Sequence, residues 1–178
     1  MIAQLPRIYP ITDTRLSGLT HSAQVEQLIA GGAEFIQLRE KHVSPRDFYE
    51  DARKAIAIAH TNGAKIIIND RVDIAIALGA DGVHLGQDDL QPEHARKLLG
   101  EKAIIGFSTH SVSQAREAVK LPVDYIAIGP VYGTTTKENP DATVGLDGLK
   151  AVRARIGDFP LVAIGGIKDA NLPQVLVP

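Results

Sequence analysis

Two cations and an amide alternate along Gln37-Leu38-Arg39-Glu40-Lys41. If this segment leaves a sheet in extended form, Gln37, Arg39 and Lys41 point to one side, because successive side chains of an extended chain face opposite ways. Converging cations suit a phosphate or diphosphate, with Arg as a planar fork and Lys as a mobile point charge. The bland reading makes Arg39, Glu40 and Lys41 solvated loop charges. Further along, Asn69-Asp70-Arg71 and Gly86-Gln87-Asp88-Asp89 each follow an apolar run. Asp70 and Asp89 lie one strand–helix repeat apart, so neighbouring strand ends are expected to bring their carboxylates together. Two carboxylates without a His or Cys partner suit a hard, oxygen-loving ion such as Mg²⁺. Asp88 or Asp89 could equally cap a helix that starts near Gln91-Pro92. Asp70 follows directly on Lys65 to Ile68 and must be paired or functional.

A third set carries hydroxyls. Phe107-Ser108-Thr109-His110-Ser111 and Gly129 to Lys137, with its Thr134-Thr135-Thr136-Lys137 run, supply donors to phosphate oxygens and one neutralising ammonium. The same residues also serve as turn formers. Gly165-Gly166 permits close backbone approach to an anion. His84, inside an apolar run, reads as packing, and His110 reads either as an acid/base group or as part of a helix start.

Such residues need a scaffold that delivers one strand end after another. Seven short apolar runs supply it: RIYPI near Ile8, EFIQL near Phe35, KIIIN near Ile67, GVHLG near Val83, AIIGF near Ile105, YIAIG near Ile126 and LVAIG near Val162. Continuous apolar runs of this length suit strands buried on both faces, as in a parallel sheet covered by helices. Helical patterns lie between them, with Val25, Leu28 and Ile29 as one stripe and Phe48, Ala52, Ala55, Ile56 and Ala59 as another. Ser44-Pro45-Arg46-Asp47 reads as a helix start, Gln91-Pro92 and Ser111 as weaker ones, and Gly31-Gly32, Gly63 and Gly79 as stops. Alternation of this kind implies right-handed crossovers in an open doubly wound sheet or a (β/α) barrel. The barrel is preferred because charged and hydroxyl residues follow the strands, and because Walker and dinucleotide glycine motifs are absent. The expected fold is therefore an α/β TIM (β/α)₈ barrel forming one domain over residues 1–178.

Composition narrows the function. The 178 residues are 44% hydrophobic and 22% charged, and their net charge of −2 offers no case for nucleic acid or a membrane surface. Zero cysteine removes disulfides, thiolate metal sites and a cysteine nucleophile. The N-terminal MIAQLPRIYPITDTR lacks the unbroken apolar core of a signal peptide, and no stretch approaches ~18 uncharged apolar residues. A cytoplasmic location is expected, and homo-oligomerisation is left open.

The strand ends together resemble the thiamine phosphate synthase family. The matching segments are YPITD (Tyr9 to Asp13), QLREK (Gln37 to Lys41), Ile68 to Leu90, GFSTHS (Gly106 to Ser111), DYIAIGPVYGTTTK (Asp124 to Lys137) and VAIGGI (Val162 to Ile167), in family order over nearly the whole chain. The resemblance implies an Mg²⁺-dependent transferase that joins a hydroxymethylpyrimidine diphosphate to a thiazole phosphate, releasing diphosphate and forming thiamine phosphate. It assigns Gln37, Arg39 and Lys41 to the pyrimidine diphosphate, Asn69 to the pyrimidine, and Asp70 and Asp89 to Mg²⁺. Ser108 and Lys137 match further contacts to that substrate, and Thr134, Thr136 and Gly166 match the thiazole phosphate site. Arg39, Lys41 and Lys137 would carry catalysis. The competitor is a thiazole tautomerase of the same fold, in which a histidine at position 110 carries the chemistry and the acidic segment is lost. An inactive ligand-binding fragment is a third reading. Intact Gly86-Gln87-Asp88-Asp89 and Thr134-Thr135-Thr136-Lys137 favour the synthase. Since seven strands are legible and the family pattern has eight, the sequence also predicts a chain that is C-terminally incomplete, short by about one strand–helix unit.

Overall fold

A computed structural model describes residues 5–134 and 141–176. Its elements alternate as expected. They are β1 (Ile11–Thr12), α1 (Thr14–Ser17), α2 (His21–Ala30), β2 (Phe35–Leu38), α3 (Pro45–Thr61), β3 (Lys65–Asn69), α4 (Val72–Leu78) and β4 (Gly82–Leu85). There follow α5 (Pro92–Leu99), β5 (Ile104–Thr109), α6 (Val112–Ala118), β6 (Tyr125–Ile128), α7 (Gly145–Ile156), β7 (Leu161–Ala163) and α8 (Leu172–Val175). This is the succession of a TIM-like (β/α) barrel, with seven strands among the described residues. None of the described helices is long and apolar enough to cross a membrane.

The described residues cluster into two compact units. One runs to His84 and resumes over His94–Ile104, while the other takes Leu85–Glu93 and resumes from Ile105. In the first unit β1, β2, β3 and β4 pair in sequence order, all parallel, with Gln37 of β2 in register with Ile11 and Ile67. In the second unit β5, β6 and β7 do the same, with Ser108 opposite Ala127.

Burial explains why these runs become strands. Ile36, Leu38, Ile66, Ile67, Ile68 and Val83 are fully buried in the first unit, as are Ile105, Ile126 and Ile128 in the second, and successive residues of β2, β4 and β6 are all buried, so both faces of these strands are covered. The α3 stripe of Phe48, Ala52, Ala55, Ile56 and Ala59 is buried as its spacing predicts. Ser44 caps α3 by accepting the Asp47 N–H, Pro45 opens the helix, and Ser111 likewise caps α6 through Gln114. In α2, Val25 is buried while Leu28 and Ile29 are only half-buried.

Two expectations are corrected. The first strand is not centred near Ile8 but lies at Ile11–Thr12. Pro6 and Pro10 lack N–H groups, so the ladder gathers only after Pro10, whose carbonyl accepts the Gln37 N–H at 3.0 Å. β7 is half-buried rather than buried, because it pairs with β6 alone among the described residues, and Ile164 beyond it is exposed.

A repeated clip sets register at strand starts. Asp81, just before β4, donates its N–H to the Ile66 carbonyl at 3.0 Å and accepts the Ile66 N–H on its carboxylate at 2.8 Å. Asp124, just before β6, does the same with Ile105, at 2.7 and 2.9 Å. Gly82 follows Asp81 because a Cβ there would overlap the Ile104 carbonyl.

Candidate functional site

The strand ends of the first unit gather Gln37, Arg39, Lys41, Asn69 and Asp70. Gln37 lies buried in β2, and its amide donates to the Tyr9 hydroxyl at 3.0 Å. Tyr9 in turn sets its ring edge-on to Phe35, with centroids 4.7 Å apart. A buried amide needs such a partner, so the Tyr9 contact fixes how Gln37 presents its other edge. Arg39 follows the end of β2 and places a guanidinium nitrogen 3.7 Å from Asp13. Asp13 closes β1 and caps α1 through the Arg15 and Leu16 N–H groups. The Lys41 ammonium donates to the Asp70 carboxylate at the end of β3. The two cations beyond β2 thus reach in opposite directions, one to the end of β1 and one to the end of β3.

Asp70 stands in the left-handed region at φ 62° and is the non-glycine residue there among those described. That conformation is unfavourable for most L residues and least so for Asn and Asp. It is held by the Asp70 N–H, which donates to the His84 carbonyl at 2.8 Å, and by α4, which starts two residues on. Strain retained at a strand end beside a buried Asn69 is the pattern of a functional position. His84 is buried, as its place in an apolar strand predicts.

Of Arg39-Glu40-Lys41, Glu40 is not a solvated loop charge. Its side chain is only 3% exposed. One carboxylate oxygen accepts the N–H groups of Lys41 (2.8 Å), His42 (2.7 Å) and Val43 (3.3 Å). The other accepts from the Thr14 hydroxyl at 2.9 Å and lies 3.3 Å from His21 Nε2. Burial alone would push the Glu40 carboxyl up, but the His42 N–H, the Thr14 hydroxyl and the Lys41 and Val43 N–H groups outweigh it and hold it at about 2. Burial lowers the pKa of His21, against the opposing pull of Asp51 and Glu40, so the ring is neutral at neutral pH. Its Nδ1 lies 2.7 Å from the Thr12 hydroxyl. Sequence spacing passed over Glu40, His21 and Tyr9, since their task is to hold other residues. The signal that could have found Glu40 is its place between two cations whose side chains face away from it.

In the second unit the site is built differently. Asp89 accepts the Gly86 N–H at 2.7 Å, which closes its own turn rather than capping the helix that follows. Gln87 donates to the Ser108 carbonyl at 2.6 Å, fixing the end of β5, and Ser108 itself is half-buried. His110 sets Nδ1 2.7 Å from the Gly129 carbonyl and 3.5 Å from Asp141. Residues 131–132 zip against 164–165 through Val131 N–H to Ile164 O at 2.8 Å and Tyr132 N–H to Gly165 O at 2.9 Å. Gly166, at φ 63°, sits so close that a Cβ would stand 2.5 Å from the Gly133 carbonyl oxygen and 2.8 Å from Tyr132 Cβ. Thr134, which follows Gly133, is half-buried. Thr136 and Lys137 lie outside the described residues. Asp70 and Asp89 fall in different units, so each is placed only within its own. No group of three or more His, Cys, Asp or Glu side chains able to hold a metal ion occurs among the described residues.

Residues 8–177 match the family model for thiamine monophosphate synthase. A thiamine-phosphate synthase of Chloroflexus aurantiacus is 46% identical over 171 residues, covering 96% of this chain and 78% of its own length. The Clostridium novyi enzyme of the same name is 46% identical and is covered over 83% of its length. A solved thiamine phosphate pyrophosphorylase from Pyrococcus furiosus superposes with a TM-score of 0.82 at 37% identity, covering 94% of this chain and 79% of that one.

Proposed function

This chain belongs to the thiamine monophosphate synthase family, and from that premise we propose that it joins a hydroxymethylpyrimidine diphosphate to a thiazole phosphate, releasing diphosphate and forming thiamine phosphate. The observation that carries this reading is the pair of cations beyond β2, each already set against a carboxylate of a flanking strand end.

The chemistry asks for a C–O bond to diphosphate to ionise and for the pyrimidine methyl carbon to be trapped by the thiazole nitrogen. Arg39 offers a planar fork and Lys41 a movable charge to the oxygens on which negative charge develops, so both act on the leaving group. Gln37, its amide fixed by Tyr9, and Asn69 orient the pyrimidine, and Ser108 adds a hydroxyl contact. The family resemblance assigns Thr134, Thr136 and Gly166 to the thiazole phosphate and Lys137 to the diphosphate. Asp70 and Asp89 are oxygen donors of the kind a hard dication takes, and they would hold Mg²⁺. When bound, Mg²⁺ supplies Lewis-acid polarisation of the diphosphate. No side chain is required as a nucleophile, so catalysis is positioning plus electrostatics.

The test is to mix the purified chain with both substrates and Mg²⁺ and to measure thiamine phosphate. Product that needs both substrates is expected. Interconversion of thiazole isomers without product would overturn the synthase reading in favour of a tautomerase, and binding without turnover would favour a ligand-binding fragment.

A further inference from the structure

Lys41 has two claims on it. Its place in the Gln37, Arg39, Lys41 series assigns it to the diphosphate, yet its ammonium donates to Asp70, the carboxylate assigned to Mg²⁺. The two claims compete for one ammonium and one carboxylate. A carboxylate oxygen engaged by an ammonium is a poorer ligand for a dication, and a dication there would sit within a few ångströms of a like charge.

The surrounding structure determines which partner moves. Asp70 is fixed in the left-handed region by its N–H bond to the His84 carbonyl, and its side chain is 17% exposed. The backbone of Lys41 is held by Glu40. What remains mobile is the four-carbon stem of Lys41, whose side chain is 44% exposed. We propose that Lys41 occupies the Asp70 carboxylate until a diphosphate draws its ammonium away, so that divalent cation and diphosphate bind interdependently with Lys41 as the exchanging cation. The inference rests on Asp70 as a metal ligand. Linkage then requires that diphosphate raise metal affinity and metal raise diphosphate affinity by the same factor.

Mn²⁺ binding to the whole chain, followed by electron paramagnetic resonance of the unbound ion, tests this without turnover. Wild type, Lys41→Gln and Asp70→Asn are titrated with Mn²⁺ alone and with inorganic diphosphate, after subtracting the protein-free Mn²⁺–diphosphate complex. Lys41→Gln is expected to bind Mn²⁺ alone about fivefold more tightly than wild type. The gain that diphosphate gives wild type should shrink in the variant by about that same factor, leaving only what direct ligation of the metal by diphosphate supplies. Lys41→Ala, which leaves no side-chain amide near Asp70, should behave alike. If Lys41→Gln and Lys41→Ala bind Mn²⁺ alone no tighter than wild type while Asp70→Asn loses binding, the exchange is wrong and the metal assignment stands. If Asp70→Asn binds Mn²⁺ as wild type does, with and without diphosphate, the metal assignment itself fails and the exchange falls with it.

Discussion

In the first unit each cationic site residue is set against a carboxylate, Arg39 with Asp13 and Lys41 with Asp70, and a buried Glu40 braces the loop between them. The second unit holds its one described site charge, Asp89, with a backbone N–H and otherwise presents hydroxyls and a glycine pressed against a turn. The contrast follows from what each would bind. A diphosphate leaving group gains charge as it departs, so fixed cations repay their cost there, and such cations need counter-charges to stay placed before the ligand arrives. A phosphate that merely anchors its substrate can be met by backbone and hydroxyl donors, which need no counter-charge but do need an exact fit of main chain to anion.

The largest effect that would sharpen this contrast is expected from Asp70→Asn. Asn tolerates the left-handed backbone, so the variant should melt as wild type does while turnover at limiting Mg²⁺ falls at least ~10²-fold. A wild-type rate in steady-state assays would remove Asp70 from the site. Acid should come next. The Glu40 carboxyl is depressed to about 2 from 4.5, so its stabilisation is complete above 4.5 and is lost as the pH falls through about 2. Glu40→Gln should therefore cost up to about 3 kcal/mol at neutral pH and almost nothing in strong acid, read from urea midpoints across the pH range. An unchanged gap between variant and wild type at all pH values would mean that the carboxylate charge is not what braces the loop.

On the second side, Gly166→Ala should raise KM for the thiazole phosphate about tenfold through its clash with the Tyr132–Gly133 turn, leaving KM for the pyrimidine diphosphate unmoved. Equal changes in both constants would erase the division of labour drawn here. The smallest effect is a paired control. Ser44→Ala and Ser111→Ala each remove one helix cap, and each should cost about 1 kcal/mol by denaturant unfolding with turnover at saturating substrate unchanged. A loss of activity with either cap would tie helix ends to the chemistry.

The strand–helix order was legible because runs such as Ile66 to Ile68 are buried on both faces and are therefore apolar throughout. The α3 stripe and the Ser44 and Ser111 caps were legible for the same local reasons. β1 was misplaced because Ile8 and Ile11 look alike in a run, while only the prolines decide where pairing can begin. At the site, the residues assigned to ligand stood out by charge or by hydroxyl and amide groups at strand ends. Tyr9, His21 and Glu40 did not, because their importance lies in contacts with residues far along the chain, and no spacing rule reports a partner such as Thr14 or Gln37. Glu40 shows the limit most clearly: its charge suggested solvent, and only the three N–H groups it accepts reveal why it is buried.

The Asp81 and Asp124 clips carry a consequence for biosynthesis. Each aspartate grips a residue of the strand made just before it, and each strand within a unit pairs with its predecessor. A nascent chain leaving the ribosome never has to wait for a distant segment to fix the register of the one in hand. Such a chain can lay down the strands of each unit in the order of its codons, the newest strand standing as the open edge until the next one arrives.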